Sequence, residues 1–148
     1  MPTIAVGSDH AAIALRRAIA AHLTGRGLDV VELGPGDGEK SDYPEQARLV
    51  AEAVVRHDAE LGVLCCGTGI GMSIAANKIA GIRAALVHDP VTARLAAQHN
   101  AANVLCLGGR LLAPEYATEL VDAWLDTAFE ARHQRRLDMI AALERAGD

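Results

Sequence analysis

The chain has 148 residues, of which 51% are apolar and only 3% aromatic, and its formal net charge is −5. That length suits a single domain (residues 1–148) that buries a core packed by Ala, Leu, Ile and Val, with no staple required. The acidic balance argues against a nucleic-acid partner, no apolar run approaches the roughly 20 residues that cross a bilayer, and three cysteines, two of them adjacent, offer neither a disulfide framework nor a Cys-x-x-Cys pair. The first residues pass directly into a strand over 3–6, without a basic or long apolar leader. A soluble protein of the reducing cytoplasm is therefore expected.

From that strand the chain runs through Gly7-Ser8-Asp9-His10 into an Ala-rich helix over 11 to about 23. A second strand over 29–33 ends in a Gly- and Asp-rich loop. Pro44 then suits the first turn of a helix reaching about 57. A buried strand over 61–65 leads into Cys66-Gly67-Thr68-Gly69-Ile70-Gly71-Met72-Ser73, and a helix is expected from 72 to 79. A strand over 83–87 precedes a helix that Asp89 caps and Pro90 opens. The strand over 104–107 and helices over about 114–127 and 132–145 complete the chain. Apolar Leu137, Ile140, Ala141 and Leu143 on the last helix suggest that it packs on a neighbouring subunit.

Five short apolar strands separated by helices predict an α/β fold, a parallel sheet covered on both faces by right-handed βαβ units. Such sheets bind ligands at the carboxyl ends of their strands, where the strand order reverses. That rule gathers Asp9-His10, the turn over 66–73, His88-Asp89 and Gly108-Gly109-Arg110 at one rim.

The glycine turn admits three readings. It spells G-x-G-x-G rather than G-x-G-x-x-G, follows the third strand, and lacks the Gly-Lys-Ser/Thr of a P-loop, which weakens a nucleotide fingerprint. It can be purely structural, a tight strand-to-helix connection. Or it is an oxyanion hole with a base beside it, since glycines let backbone N–H groups approach an anion and amide dipoles favour a neighbouring thiolate. Side chains alternate along a strand, so Cys65 and Cys66 face opposite ways. Cys65 and Cys106 are expected in the core, and Cys66 is expected to be the exposed thiol. Adjacent cysteines lack redox spacing, and no His, Cys or Asp cluster has metal-ligand spacing. Asp9-His10 and His99-Asn100 each also fit plain helix capping. Arg132, His133 and Arg136 fall on one helical face, as a solvated basic helix start or a phosphate clamp.

Taken together, Gly7-x-Asp9-His10, Asp42-Tyr43-Pro44, Cys66-Gly67-Thr68-Gly69-x-Gly71, Ala75-Ala76-Asn77-Lys78, Gly81-Ile82-Arg83-Ala84, Gln98-His99-Asn100, Asn103-Val104-Leu105, Gly108-Gly109-Arg110 and Arg132-His133-x-x-Arg136 closely resemble type B ribose-5-phosphate isomerase, of the family that includes galactose-6-phosphate isomerase. The resemblance spans residues 4 to about 144. It implies a Rossmann-like three-layer αβα sandwich and a homodimer, with tetramers left open, whose sites lie between subunits. It also implies cofactor-free and metal-free interconversion of aldose and ketose phosphates.

Carried over, His99 would open the furanose ring with help from Asp9. Cys66 would take the C2 proton and return it to C1, with Thr68 steering the thiol. The backbone amides of Gly67, Gly69, Ile70, Gly71, Met72 and Ser73 would hold the enediolate oxygens, and Asn100 would touch the sugar. His10, Arg110, Arg132, His133 and Arg136 would surround the phosphate, the last three from the partner subunit. Some relatives carry a glutamate base where Met72 stands; Met72 takes no proton, which leaves the role to Cys66. Galactose-6-phosphate isomerase divides its site residues between two different chains. This chain retains them all, as a self-sufficient homo-oligomer would. Two alternatives stay open: isomerisation of another phosphosugar (tetrose 4-phosphate, allose 6-phosphate or galactose 6-phosphate), and a non-catalytic nucleotide-binding module.

Overall fold

The computed structural model describes residues 2–147. Five parallel strands, β1 (Thr3–Ser8), β2 (Asp29–Leu33), β3 (Leu61–Cys66), β4 (Ala84–Leu86) and β5 (Val104–Gly108), form one sheet in the order β2-β1-β3-β5-β4. The order reverses between β1 and β3, so a crevice opens outside the carboxyl ends of those two strands. The helices are α1 (Ile13–Gly25), α2 (Tyr43–Val55), α3 (Ile70–Ala76), α4 (Pro90–Gln98), α5 (Pro114–Leu125) and α6 (Gln134–Ala146). Two three-residue 3₁₀ turns, His10–Ala12 and Ala131–His133, lead into α1 and α6.

Alternation along the strands divides the core in two. Ile4, Val6, Val63, Cys65, Leu105 and Leu107 face α1, α4 and α5, where Leu15, Ile19, Leu23, Leu120 and Trp124 meet them. Ala5, Leu64, Cys66, Val104 and Cys106 face α2 and α3, against Val50, Val54 and Met72. Cys65 and Cys66 thus point to opposite faces, as the period of two requires.

Several boundaries differ from expectation for local reasons. Helix α3 stops at Ala76 because the Asn77 side chain leaves it to pair with Ala84, accepting the Ala84 N–H at 2.8 Å and donating to its carbonyl at 2.9 Å. The first helix begins as a 3₁₀ turn because Asp9 Oδ1 accepts the Ala11 N–H at 2.9 Å. Asp89 caps α4 as expected, accepting the Thr92 N–H at 2.8 Å. Helix α6 buries only Leu137 against its own chain; Met139, Ile140 and Leu143 stay exposed.

Candidate active site

Strand β3 delivers Cys66 to the carboxyl edge, and the turn after it is shaped by two glycines. Gly69 has φ +80°, a conformation that side chains disfavour, and a Cβ there would sit 2.7 Å from Leu86 Cδ1 and 3.0 Å from the Leu107 carbonyl carbon. Gly71 lies in the first turn of α3, where a Cβ would meet the Tyr43 ring at 2.5 Å, so the bare backbone lets the ring form a wall of the crevice. Gly69 N–H donates to Cys66 Sγ at 3.1 Å and Ile70 N–H to Thr68 Oγ1 at 3.2 Å. Ser73 N–H is taken by Gly69 carbonyl at 3.1 Å, and the Ser73 hydroxyl donates to Ile70 carbonyl at 2.8 Å. Of the amides expected to face an oxyanion, those of Gly69, Ile70 and Ser73 are therefore engaged within the turn. Gly71 and Met72 N–H, in the first turn of α3, have no acceptor within the helix.

The expectation that Cys66 is exposed is corrected. It is 5% exposed, folded under the turn with its sulfur on the Gly69 amide, while Met72 packs the same core cluster. Cys65 and Cys106 are wholly enclosed, and burial pushes both thiols far above the ordinary range. They are small hydrophobes of the core, as expected.

The other carboxyl-edge residues gather round this turn. Asp9 is buried and its backbone N–H donates to the Cys65 carbonyl at 3.3 Å. His10 Nδ1 lies 2.8 Å from the Ser41 carbonyl oxygen and 3.2 Å from the Ser41 amide nitrogen, so His10 is anchored to the loop before α2. Arg110 N–H donates to Gly67 carbonyl at 2.9 Å, and its side chain crosses Gly67, where a Cβ would be 3.5 Å from Arg110 Cδ and Nε.

His99 and Asn100 are not among them. Each helix returns antiparallel to the strand before it, so the end of α4 lies at the amino edge of the sheet. Gly62 N–H, at the start of β3, donates to Asn103 carbonyl, and Asn103 N–H to Arg83 carbonyl, just before β4. The length of β3, about 17 Å at 3.3 Å per residue, separates that edge from Cys66.

Arg132, His133 and Arg136 lie with His99, in the same chain. Arg132 and His133 occupy the 3₁₀ turn and Arg136 the first turn of α6. The His99 and His133 rings stand 4.4 Å apart, tilted by 39°. His133 is buried, its Nε2 has no partner among the described residues, and its Nδ1 is 3.5 Å from Arg136 Nη1. Burial first, and then Arg132, His99 and Arg136, hold His133 below the ordinary imidazole range. Arg132 Nε donates to Glu130 Oε2 at 2.6 Å, the main reason that Glu130 is held below the usual carboxylate range. Gln98 Nε2 donates to the other Glu130 oxygen. Glu130 was not singled out from the sequence; an acid two residues before Arg132 was the available signal. Among the described residues no group of three or more His, Cys, Asp and Glu side chains could hold a metal ion, and no helix is long and apolar enough to cross a membrane.

A second feature sits beside edge strand β4. A groove of about 680 Å³ runs between α4 and α6, lined by Leu86, Leu95, Asn100, Ile140 and Leu143 among others.

Comparison with known proteins places this arrangement. The ribose/galactose isomerase family matches residues 4–140. The chain belongs to that family. Among ribose/galactose isomerases, it is 47% identical over 145 residues to ribose-5-phosphate isomerase B of Escherichia coli (strain K12), covering 97% of each chain. It is 45% identical over 131 residues to D-erythrulose-4-phosphate isomerase of Pectobacterium atrosepticum, covering 88% of this chain and 86% of the relative. The crystal structure of ribose-5-phosphate isomerase B from Mycoplasma genitalium with bound ribulose-5-phosphate superposes with a TM-score of 0.90 at 44% identity, covering 97% of this chain and 96% of the other.

Proposed function

We propose that this chain is a cofactor-independent aldose–ketose isomerase that interconverts ribose 5-phosphate and ribulose 5-phosphate through ring opening and a cis-enediolate, with Cys66 as the base. The observation that carries the reading is a thiol held under a glycine turn at the crevice between β1 and β3, beside the first-turn amides of α3. A C–H next to a carbonyl is a weak acid unless the enolate oxygen is stabilised. One preorganised donor aimed at that oxygen is worth on the order of 3 kcal/mol, and a positioned base contributes roughly a hundredfold or more. In this scheme Cys66 takes the C2 proton, the C–H electron pair becomes the C1=C2 double bond, and negative charge collects on O1 facing the Gly71 and Met72 amides. A proton then passes from O2 to O1, and return of the proton from Cys66 to C1 leaves C2=O2, the carbonyl of the ketose. His99 moves the ring-oxygen proton in the opening step, assisted by Asp9, and Asn100 holds a sugar hydroxyl. His10, Arg110, Arg132, His133 and Arg136 receive the phosphate, for which Arg132 must leave Glu130.

Because His99 and Cys66 lie on opposite edges of one sheet, the site in this reading is shared between two copies in a homodimer: Cys66 of one subunit works with the partner's His99. The groove beside β4, the exposed face of α6 and exposed Ile70, Ile74 and Val91 supply the apolar surface that such an interface needs. Three free thiols fit the cytoplasm.

The near-equal identity to a D-erythrulose-4-phosphate isomerase supports a second reading, in which a tetrose phosphate is the substrate. The test is turnover of ribose 5-phosphate without added metal by wild type and Cys66→Ala. Loss of activity in a folded variant is expected. Full activity in that variant would remove Cys66 as the base, and wild-type turnover of tetrose or hexose phosphates alone would reassign the substrate.

A further inference from the structure

We propose that Arg83 is a positioning residue for the ring-opening step, a clamp that fixes the direction in which His99 and Asn100 leave the end of α4. The inference rests on the reading of His99 above. The Arg83 guanidinium turns back onto the segment that follows His99: Nε donates to the Asn100 and Ala101 carbonyls, both at 3.1 Å, and Nη2 donates to the Ala101 carbonyl at 2.8 Å. Among the described residues it has no carboxylate within ion-pair distance. Its charge rests on carbonyls at the carboxyl end of a helix, where a cation is favoured.

The clamped backbone is strained. Ala101 has φ +44°, in the left-handed region that glycine ordinarily fills at a helix end. A left-handed residue without glycine persists only where its surroundings hold it. The anchor itself is rigid, because the Asn103 side chain accepts the Arg83 N–H at 2.7 Å and donates to Gly81 carbonyl at 2.8 Å, while Asn103 N–H donates to Arg83 carbonyl at 3.1 Å. The guanidinium therefore starts from a fixed point between β4 and β5. It ends on the two residues that follow His99, whose ring lies 4.4 Å from the His133 ring. Gly81-Ile82-Arg83-Ala84 and Asn103-Val104-Leu105 thereby gain a task that capping and sheet pairing leave unassigned.

The chemistry of the two substrates separates positioning from general stability. Ribose 5-phosphate is a furanose closed through O4 and must be opened. Ribulose 5-phosphate has its 5-hydroxyl esterified, stays open, and reaches the enediolate without ring chemistry. For Arg83→Gln, kcat on ribose 5-phosphate should fall by about 10- to 100-fold, while the maximal rate of solvent deuterium incorporation at C1 of ribulose 5-phosphate, read at saturation so that a loosened Asn100 contact shows only in KM, stays near wild type. Arg83→Lys should recover part of the rate. Adding Ala101→Gly to Arg83→Gln relieves the left-handed strain, and should restore thermal stability without restoring the ribose 5-phosphate rate. Equal loss of both reactions, loss of neither, or a rate that returns with stability would overturn the proposal. A His99→Ala control that keeps full turnover of ribose 5-phosphate would instead overturn the reading on which it rests.

Discussion

A chain carrying Cys66→Ala and a chain carrying His99→Ala should each be inactive, and dimers containing one of each should regain activity. The two residues lie at opposite edges of a sheet whose central strand β3 is six residues long, a separation of about 17 Å. A proton relay within one subunit would have to bridge that gap. In a two-fold dimer each site instead pairs Cys66 of one subunit with the partner's His99. A mixed dimer then holds one intact site and one that lacks both groups. Equal mixing gives mixed dimers for about half of the population, each with one working site of two, so the mixture should reach about one quarter of wild-type activity per chain. Co-expression of the two variants with different tags, sequential capture of the doubly tagged dimer and assay of ribulose 5-phosphate release provide the measurement. Purified mixed dimers should show about half of the wild-type rate. Mixed dimers as inactive as their parents would refute the shared site, and an active His99→Ala parent would remove His99 from the chemistry.

Two glycines of the same turn should respond differently to alanine. Gly69→Ala incurs a left-handed Cβ cost of about 1–2 kcal/mol and overpacking against the Leu107 backbone and Leu86 of about 1–3 kcal/mol. Together these predict a melting temperature lower by about 5–15 °C at fixed protein concentration. Gly71→Ala gains up to about 1 kcal/mol of helix propensity and displaces only the half-exposed Tyr43 ring, so its melting temperature should stay close to wild type while turnover changes. Equal stability of the two variants would contradict this account. A small alkylating reagent at neutral pH should modify Cys66 ahead of Cys65 and Cys106, whose thiolates burial suppresses, and ribose 5-phosphate should slow the reaction. Peptide mapping after graded exposure reads the order, and early labelling of Cys65 would refute it.

Much of the fold is written in local pattern. Apolar runs of five or six residues, the Asp89-Pro90 start of α4 and the Gly-rich break after Cys66 place the strands and helices to within a few residues, because period and capping depend only on near neighbours. The opposite facing of Cys65 and Cys66 follows from the same period. The types of residue available for chemistry, a thiol by a glycine turn and an Arg-His-x-x-Arg cluster, are equally legible. Tertiary structure alone decided how far each reaches. Burial of Cys66 depends on α3 folding back over the end of β3, and the stacking of His133 on His99 depends on a turn more than thirty residues further along the chain. Resemblance assembles Cys66 and His99 into one list. The antiparallel return of α4 sets them at opposite edges of the sheet, because a parallel strand must be followed by a crossover that carries the chain back to the amino edge. Strand–helix alternation implies that reversal, but motif spacing holds no record of which side chains then meet, since that is a property of how the segments pack and not of the order in which they are joined.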